Sequence, residues 1–223
     1  MPNSNSSQDI RFMLPETIWL EPEHFLVAQQ ISYPGKTDPG TSWQAYLNTL
    51  ALIGFEIWLQ KRLPDKVITK DTSMVKAAGS LKVDEFKFCA IATQNLLSEM
   101  VSIPSLVVDK PEYSAHFYVV LEILEEEEQA IIRGFLPHNQ LVEIIYNSKL
   151  PASEGYYHIP LNLFDIEPNH LLFYQHYIKA SEFARSLVDM DSQVNQSSQN
   201  LSNVVSTTTT KLSHWLQGVF EES

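Results

Sequence analysis

Between Ser42 and Leu63 the apolar positions recur with helical spacing. Trp43, Tyr46, Leu47, Leu50, Ala51, Ile57 and Trp58 form one stripe, and Leu52, Ile53, Phe55 and Leu59 carry apolar character onto its flanks. A helix apolar over most of its circumference must be buried on several sides, so this segment is expected to be the central helix of the fold. Thr41 or Ser42 is the expected N-cap. Pro64 ends the helix behind Lys61 and Arg62, two cations suited to the negative end of its dipole.

The rest of the chain is read around that helix. Residues 1–8 are a polar leader, and Ile10 to Leu14 alternates as a short strand ended by Pro15. Glu21-Pro22-Glu23 opens a helix running through Phe25, Leu26 and Ala28 to about Ile31, followed by a turn-rich loop with Tyr33-Pro34-Gly35 and Asp38-Pro39-Gly40. Asp65 to Ser80 reads as strand or loop. Strands are expected at Phe86–Thr93, Ile103–Val108, Phe117–Leu124 and Ala130–Phe135, because β-branched and aromatic runs there are separated by polar or proline-bearing breaks. Glu125 to Glu128 joins the last two. Four like charges repel inside a strand, so they belong at an exposed hairpin turn.

Gln140–Tyr146 fits either a short helix or a strand. Leu150–Gly155 is a loop, Tyr157, Ile159 and Leu161 form a final strand, and a helix is expected from about Pro168 to Lys179. The pattern thus predicts an α+β fold: a mainly antiparallel sheet packed on a buried central helix, within a single domain over 9–188. Residues 189–203, rich in Ser, Gln and Asn, form a polar linker. Beyond it, 204–223 reads as an amphipathic helix with Leu212, Trp215, Leu216, Val219 and Phe220 on one ridge, the expected partner-binding residues. Burying those five side chains is worth on the order of 8 to 12 kcal/mol before ordering costs. The ridge is expected either to dock on its own domain or to serve as a docking helix for a partner.

Composition narrows the function. With 15 basic against 27 acidic residues, the net charge is −12, which repels nucleic-acid phosphates and anionic lipid and suits a basic protein partner. No apolar run reaches the ~18 to 20 residues of a membrane span. The polar start lacks the features of a signal peptide, so a cytosolic chain is expected. Cys89, the one cysteine, lies in an apolar strand and reads as an inert core residue.

The chemistry-bearing residue types make no recognised constellation. His170 and His176 lie six apart, on different helix faces, and the seven histidines give no metal-ligand spacing. Glu125–Glu128 lacks the alternating oxygens and the glycine of a calcium loop. No glycine-rich phosphate loop or Gly-x-Ser-x-Gly elbow occurs, so no cofactor, metal or catalytic residue is expected. Tyr156 and Tyr157 with Phe173, Tyr174 and Tyr177 read as strand-to-helix packing.

Three stretches resemble one family. Val27-Ala28-Gln29-Gln30 with Tyr46-Leu47-Asn48-Thr49-Leu50-Ala51-Leu52 is similar to the opening of a cyanobacterial family of uncharacterised proteins. Ile132-Arg133-Gly134-Phe135 is similar to the end of its central hairpin, and Leu212-Ser213-His214-Trp215-Leu216-Gln217-Gly218-Val219-Phe220 to its closing segment. Phe25 stands where members tend to carry histidine, and the chain stops at Ser223 where many continue with glycine and tryptophan. Genes of that family often lie beside sigma-factor genes. The resemblance therefore implies a regulatory protein-interaction module, sigma-factor-associated or anti-sigma-like; the alternative is an enzyme with a dispersed active site on a family-specific fold.

Overall fold

The computed structural model describes residues 16–33, 39–94 and 99–172. The chain divides after Leu172 into two units, and the second, 173–223, lies outside the described residues. The strand expected at Ile10–Leu14, the linker, the C-terminal helix and the domain boundary at 188 also fall outside them.

The fold is α+β. Strand β1 (Thr17–Trp19) precedes helices α1 (Pro22–Ser32) and α2 (Pro39–Arg62). Then come β2 (Ile68–Asp71), β3 (Gly79–Val83), β4 (Phe86–Thr93), β5 (Met100–Pro104) and the short helix α3 (Leu106–Asp109). Strands β6 (Phe117–Leu124) and β7 (Gln129–Pro137), helix α4 (His138–Ser148) and β8 (Tyr156–Pro160) complete the order, with a 3-10 turn at Leu161–Leu163. A six-stranded sheet runs β1-β7-β6-β4-β3-β2, and β5 pairs with β8 in a separate ribbon. Neighbouring strands are antiparallel except β4 and β6, which run parallel. Parallel neighbours need a crossover, and β5 with α3 supplies it.

The large sheet is covered on both faces, which explains why β6 is apolar at every position but Glu122. On one face Phe88 stacks on Phe117 at 5.4 Å between centroids, Phe135 meets Phe117 edge-on, and Phe55 of α2 meets Phe88 edge-on. On the other, Cys89, Ile91, Tyr118, Val120 and Leu136 share a core with Val101, Ile103, Val107, Leu141, Ile159 and Phe164. Helix α2 lies between α1 and the sheet, and every residue from Ala45 to Phe55 is buried. Gly54 permits the approach: a Cβ there would sit 3.0 Å from Ala130 Cβ.

Several boundaries differ from the sequence expectation. Helix α2 begins at Pro39, so Thr41 and Ser42 lie in its first turns and not at the cap. Trp43, expected on the buried stripe, is exposed near that outer end. The run expected as one strand at Ile103–Val108 turns at Ser105, whose carbonyl accepts the N–H groups of Val108 and Asp109 at 3.0 and 2.8 Å and starts α3. A short apolar run cannot by itself separate strand from buried helix. Gln140–Tyr146 lies within a helix, and Leu161 has left the sheet for the 3-10 turn. The glutamate turn does join β6 to β7, with Glu126, Glu127 and Glu128 exposed.

Candidate interaction surface

Polar groups in the interior are matched to structural tasks. Asn48 on α2 donates from Nδ2 to the carbonyls of Val75 and Ala77 at 2.9 and 3.0 Å, and its Oδ1 accepts from Gln44 Nε2 and the Ala92 amide. Strand β3 ends opposite Ala90, so Ala92 has no β3 residue beside it, and Asn48 takes its N–H instead. At the other end of α2, Arg62 pairs with Glu16 and lies 4.6 Å above the Trp58 ring, while Trp58 Nε1 donates to Glu16 at 2.6 Å.

The titratable groups nearest to an active-site pattern are Tyr118, His138, His116 and Cys89. Tyr118 Oη donates its one proton to the Val107 carbonyl at 2.7 Å, so its 2.9 Å contact with His138 Nδ1 must be accepted from an Nδ1–H. The pair thereby ties α3, β6 and the first turn of α4 together. Burial raises the Tyr118 pKa, and lowers that of His138 with help from nearby His116, so both stay neutral near pH 7. Burial pushes the Cys89 thiol up to about 12, away from the thiolate a nucleophile needs. Among the described residues, no three His, Cys, Asp or Glu side chains gather as a metal-holding group.

Buried Glu122 and half-buried Arg133 form an ion pair across β6 and β7. The register shift between Val120 and Leu121 makes Arg133 an extra residue in β7 and brings its guanidinium onto the Glu122 carboxylate, with Nε donating at 2.6 Å. Glu122 Oε1 is left without a hydrogen-bond partner. Next to the bulge, Gly134 has φ +157°, and a Cβ there would lie 2.9 Å from both the Asp165 carbonyl and Phe164 Cβ. The chain at Asp165 bonds back to Phe135 in both directions at 2.9 Å.

The outer face of α1 is different. Only Ala28 and Ser32 of this helix are buried, while Leu26 and Val27 are 59% and 41% exposed. Tyr33, the residue that caps the C-terminus of α1, is 48% exposed. Ser32 of α1 meets Thr49 of α2 at 3.5 Å, which brings the Tyr33 end of α1 to the part of α2 that carries Tyr46, and Trp43 (39% exposed) stacks on Tyr46 at 5.3 Å and donates Nε1 to Gln94. Tyr46 in turn donates to Glu125 Oε1 at 2.6 Å, and burial together with that carboxylate raises its pKa. Leu20, just ahead of α1, donates its amide to the Glu128 carbonyl at 2.8 Å. Trp43 is thus linked through Tyr46 to the glutamate turn, and the start of α1 is tied to the same turn through Leu20.

Charge is segregated around this face. Segments 16–33, 42–60 and 117–132 hold three, one and five glutamates and no Lys or Arg, whereas 61–87 holds seven of the chain's 15 cations. Glu16, Glu56 and Glu122 are matched by Arg62, Lys70 and Arg133. Glu21, Glu23 and Glu125–Glu128 form no ion pair among the described residues. Sequence reasoning missed this surface, since Phe25-Leu26-Val27-Ala28 is continuously apolar and gives no sign of which residues turn outward. The expected partner-binding residues Leu212, Trp215, Leu216, Val219 and Phe220 lie outside the described residues. No helix among the described residues is long and apolar enough to cross a membrane.

A family model described as protein of unknown function (DUF1822) matches residues 18–222. No curated protein and no solved structure matches the chain.

Proposed function

The chain belongs to the DUF1822 family of unknown function, and from that premise we propose that it is a non-catalytic, cytosolic, regulatory protein-interaction module. The observation that carries this reading is the apolar outer face of α1, with Leu26, Val27 and Tyr33 turned to solvent. Exposed apolar side chains grouped on one element mark interaction sites more often than isolated ones do. The buried polar groups support it from the other side. Tyr118, His138 and Cys89 are held neutral, and Asn48 is engaged by backbone, so they serve folding and not turnover.

The C-terminal ridge of Leu212, Trp215, Leu216, Val219 and Phe220 is a second docking element in this proposal. A sigma-factor-associated or anti-sigma-like role is its finer form, supported by the resemblance of the Tyr46-Leu47-Asn48 and Trp215-Leu216-Gln217 stretches to a family encoded beside such genes. The test is affinity capture from an extract of the source organism, with cross-linking and mass spectrometry. One protein retained in near-stoichiometric amount and cross-linked to the chain is the expected result. Failure to retain any protein at low salt overturns the proposal.

A further inference from the structure

We propose that the ridge formed by Leu26, Val27, Tyr33 and Trp43 docks a basic amphipathic segment of a protein partner. The partner's apolar side chains would lie on the ridge and its Arg or Lys side chains on Glu23 and the Glu125–Glu128 turn. This rests on the interaction reading above and gives the partner a chemistry.

Charge complementarity identifies the occupant. The exposed carboxylates of Glu23, on α1 itself, and of Glu126, Glu127 and Glu128, on the turn that Tyr46 bonds, make no ion pair among the described residues, and segments 16–33, 42–60 and 117–132 contain no Lys or Arg. An acidic occupant would add like charges to an already unbalanced face. A purely apolar one would leave those carboxylates unused. Tyr33 and Trp43 present aromatic faces that attract guanidinium groups as well as aliphatic side chains. The ridge is also held in place, by Trp43 on Tyr46 and Tyr46 on Glu125, so little ordering is needed when a partner arrives. Leu26 and Val27 on α1, with Tyr33 at its C-terminus, offer exposed apolar anchors for a segment laid against them.

The experiment measures fluorescence anisotropy of labelled peptides on the full chain. The first probe is a helical peptide with a leucine ridge flanked by arginines, the second carries glutamate at each arginine, the third is oligo-arginine, and the fourth is residues 204–223 of this chain. The first should bind saturably, about tenfold or more tighter than the second and third. Leu26→Ser with Val27→Ser should weaken it about tenfold, and E126Q/E127Q/E128Q about threefold with a flatter salt dependence. Should a variant fail to fold, amide NMR of the unmutated chain decides: shifts should fall on α1, Trp43 and 125–128. Equal binding of the first two probes, oligo-arginine binding as well as the first, shifts centred on 61–87, tighter binding by 204–223, or self-association through the ridge would each overturn the proposal. If the Leu26→Ser, Val27→Ser chain still captures the cellular partner, this surface is rejected while the interaction function stands. If the unmutated chain captures nothing yet binds the first probe here, the reverse holds.

Discussion

Replacing Asn48 tests how the fold holds its central helix to the sheet. The side chain is 1% exposed and makes four hydrogen bonds: two donated to the Val75 and Ala77 carbonyls, one accepted from Gln44, and one accepted from the Ala92 amide at 3.4 Å. Asn48→Ala removes all four. The long Ala92 contact and the Gln44 contact, whose donor is able to turn toward water, contribute little. The two carbonyls matter most, the buried one of Val75 above all, with the part-buried one of Ala77 open to some replacement by water. A buried acceptor left unsatisfied costs about 1 to 3 kcal/mol, so the loss should be about 2 to 4 kcal/mol.

Asn48→Asp separates hydrogen bonding from packing. It is nearly isosteric but turns an oxygen, and at neutral pH a negative charge, toward two carbonyl oxygens. It should be less stable than Asn48→Ala at pH 7. Burial and those dipoles raise the folded-state pKa of the introduced carboxyl, so the folded state binds its proton first, and the deficit shrinks as pH falls toward 5. Urea denaturation followed by tryptophan fluorescence at pH 7 and pH 5 measures both effects. An Asn48→Ala chain within about 0.5 kcal/mol of the unmutated one, or an Asn48→Asp deficit that does not change with pH, would refute the reasoning.

Three further outcomes are expected. Leu50, fully buried midway along α2, should cost about 2 to 5 kcal/mol as Leu50→Ala, measured as a lowered denaturation midpoint. Arg133→Met should destabilise by about 3 to 5 kcal/mol because Glu122 stays buried without its partner, whereas adding Glu122→Leu should recover most of that loss in a double-mutant cycle. Because the folded-state pKa of His138 is depressed, its contribution is intact above the unfolded value near 6.5 and is lost as pH falls below that value toward the folded one; thermal midpoints between pH 7 and pH 5 should fall less steeply in His138→Gln.

Local pattern alone determined much of this protein. The periodicity of 42–63 implied a helix buried on several sides, and β4 and β6 were legible to the residue, because a run of β-branched and aromatic residues bounded by turns has few other uses. The glutamate turn followed from charge repulsion, and the burial of Cys89 from the strand around it. Tertiary structure decided what depends on partners distant in sequence. The parallel pairing of β4 with β6 requires a crossover that no local pattern encodes. The break at Ser105 depends on which neighbours cover Ile103 and Val107. Most consequential for function, the apolar run of α1 gave no indication that Ala28 would face the core while Leu26 and Val27 faced water. Which side of a helix is covered is set by what packs on it, and here α2 presents Thr49 to Ser32 of α1, so that α1 buries the side carrying Ala28 and Ser32.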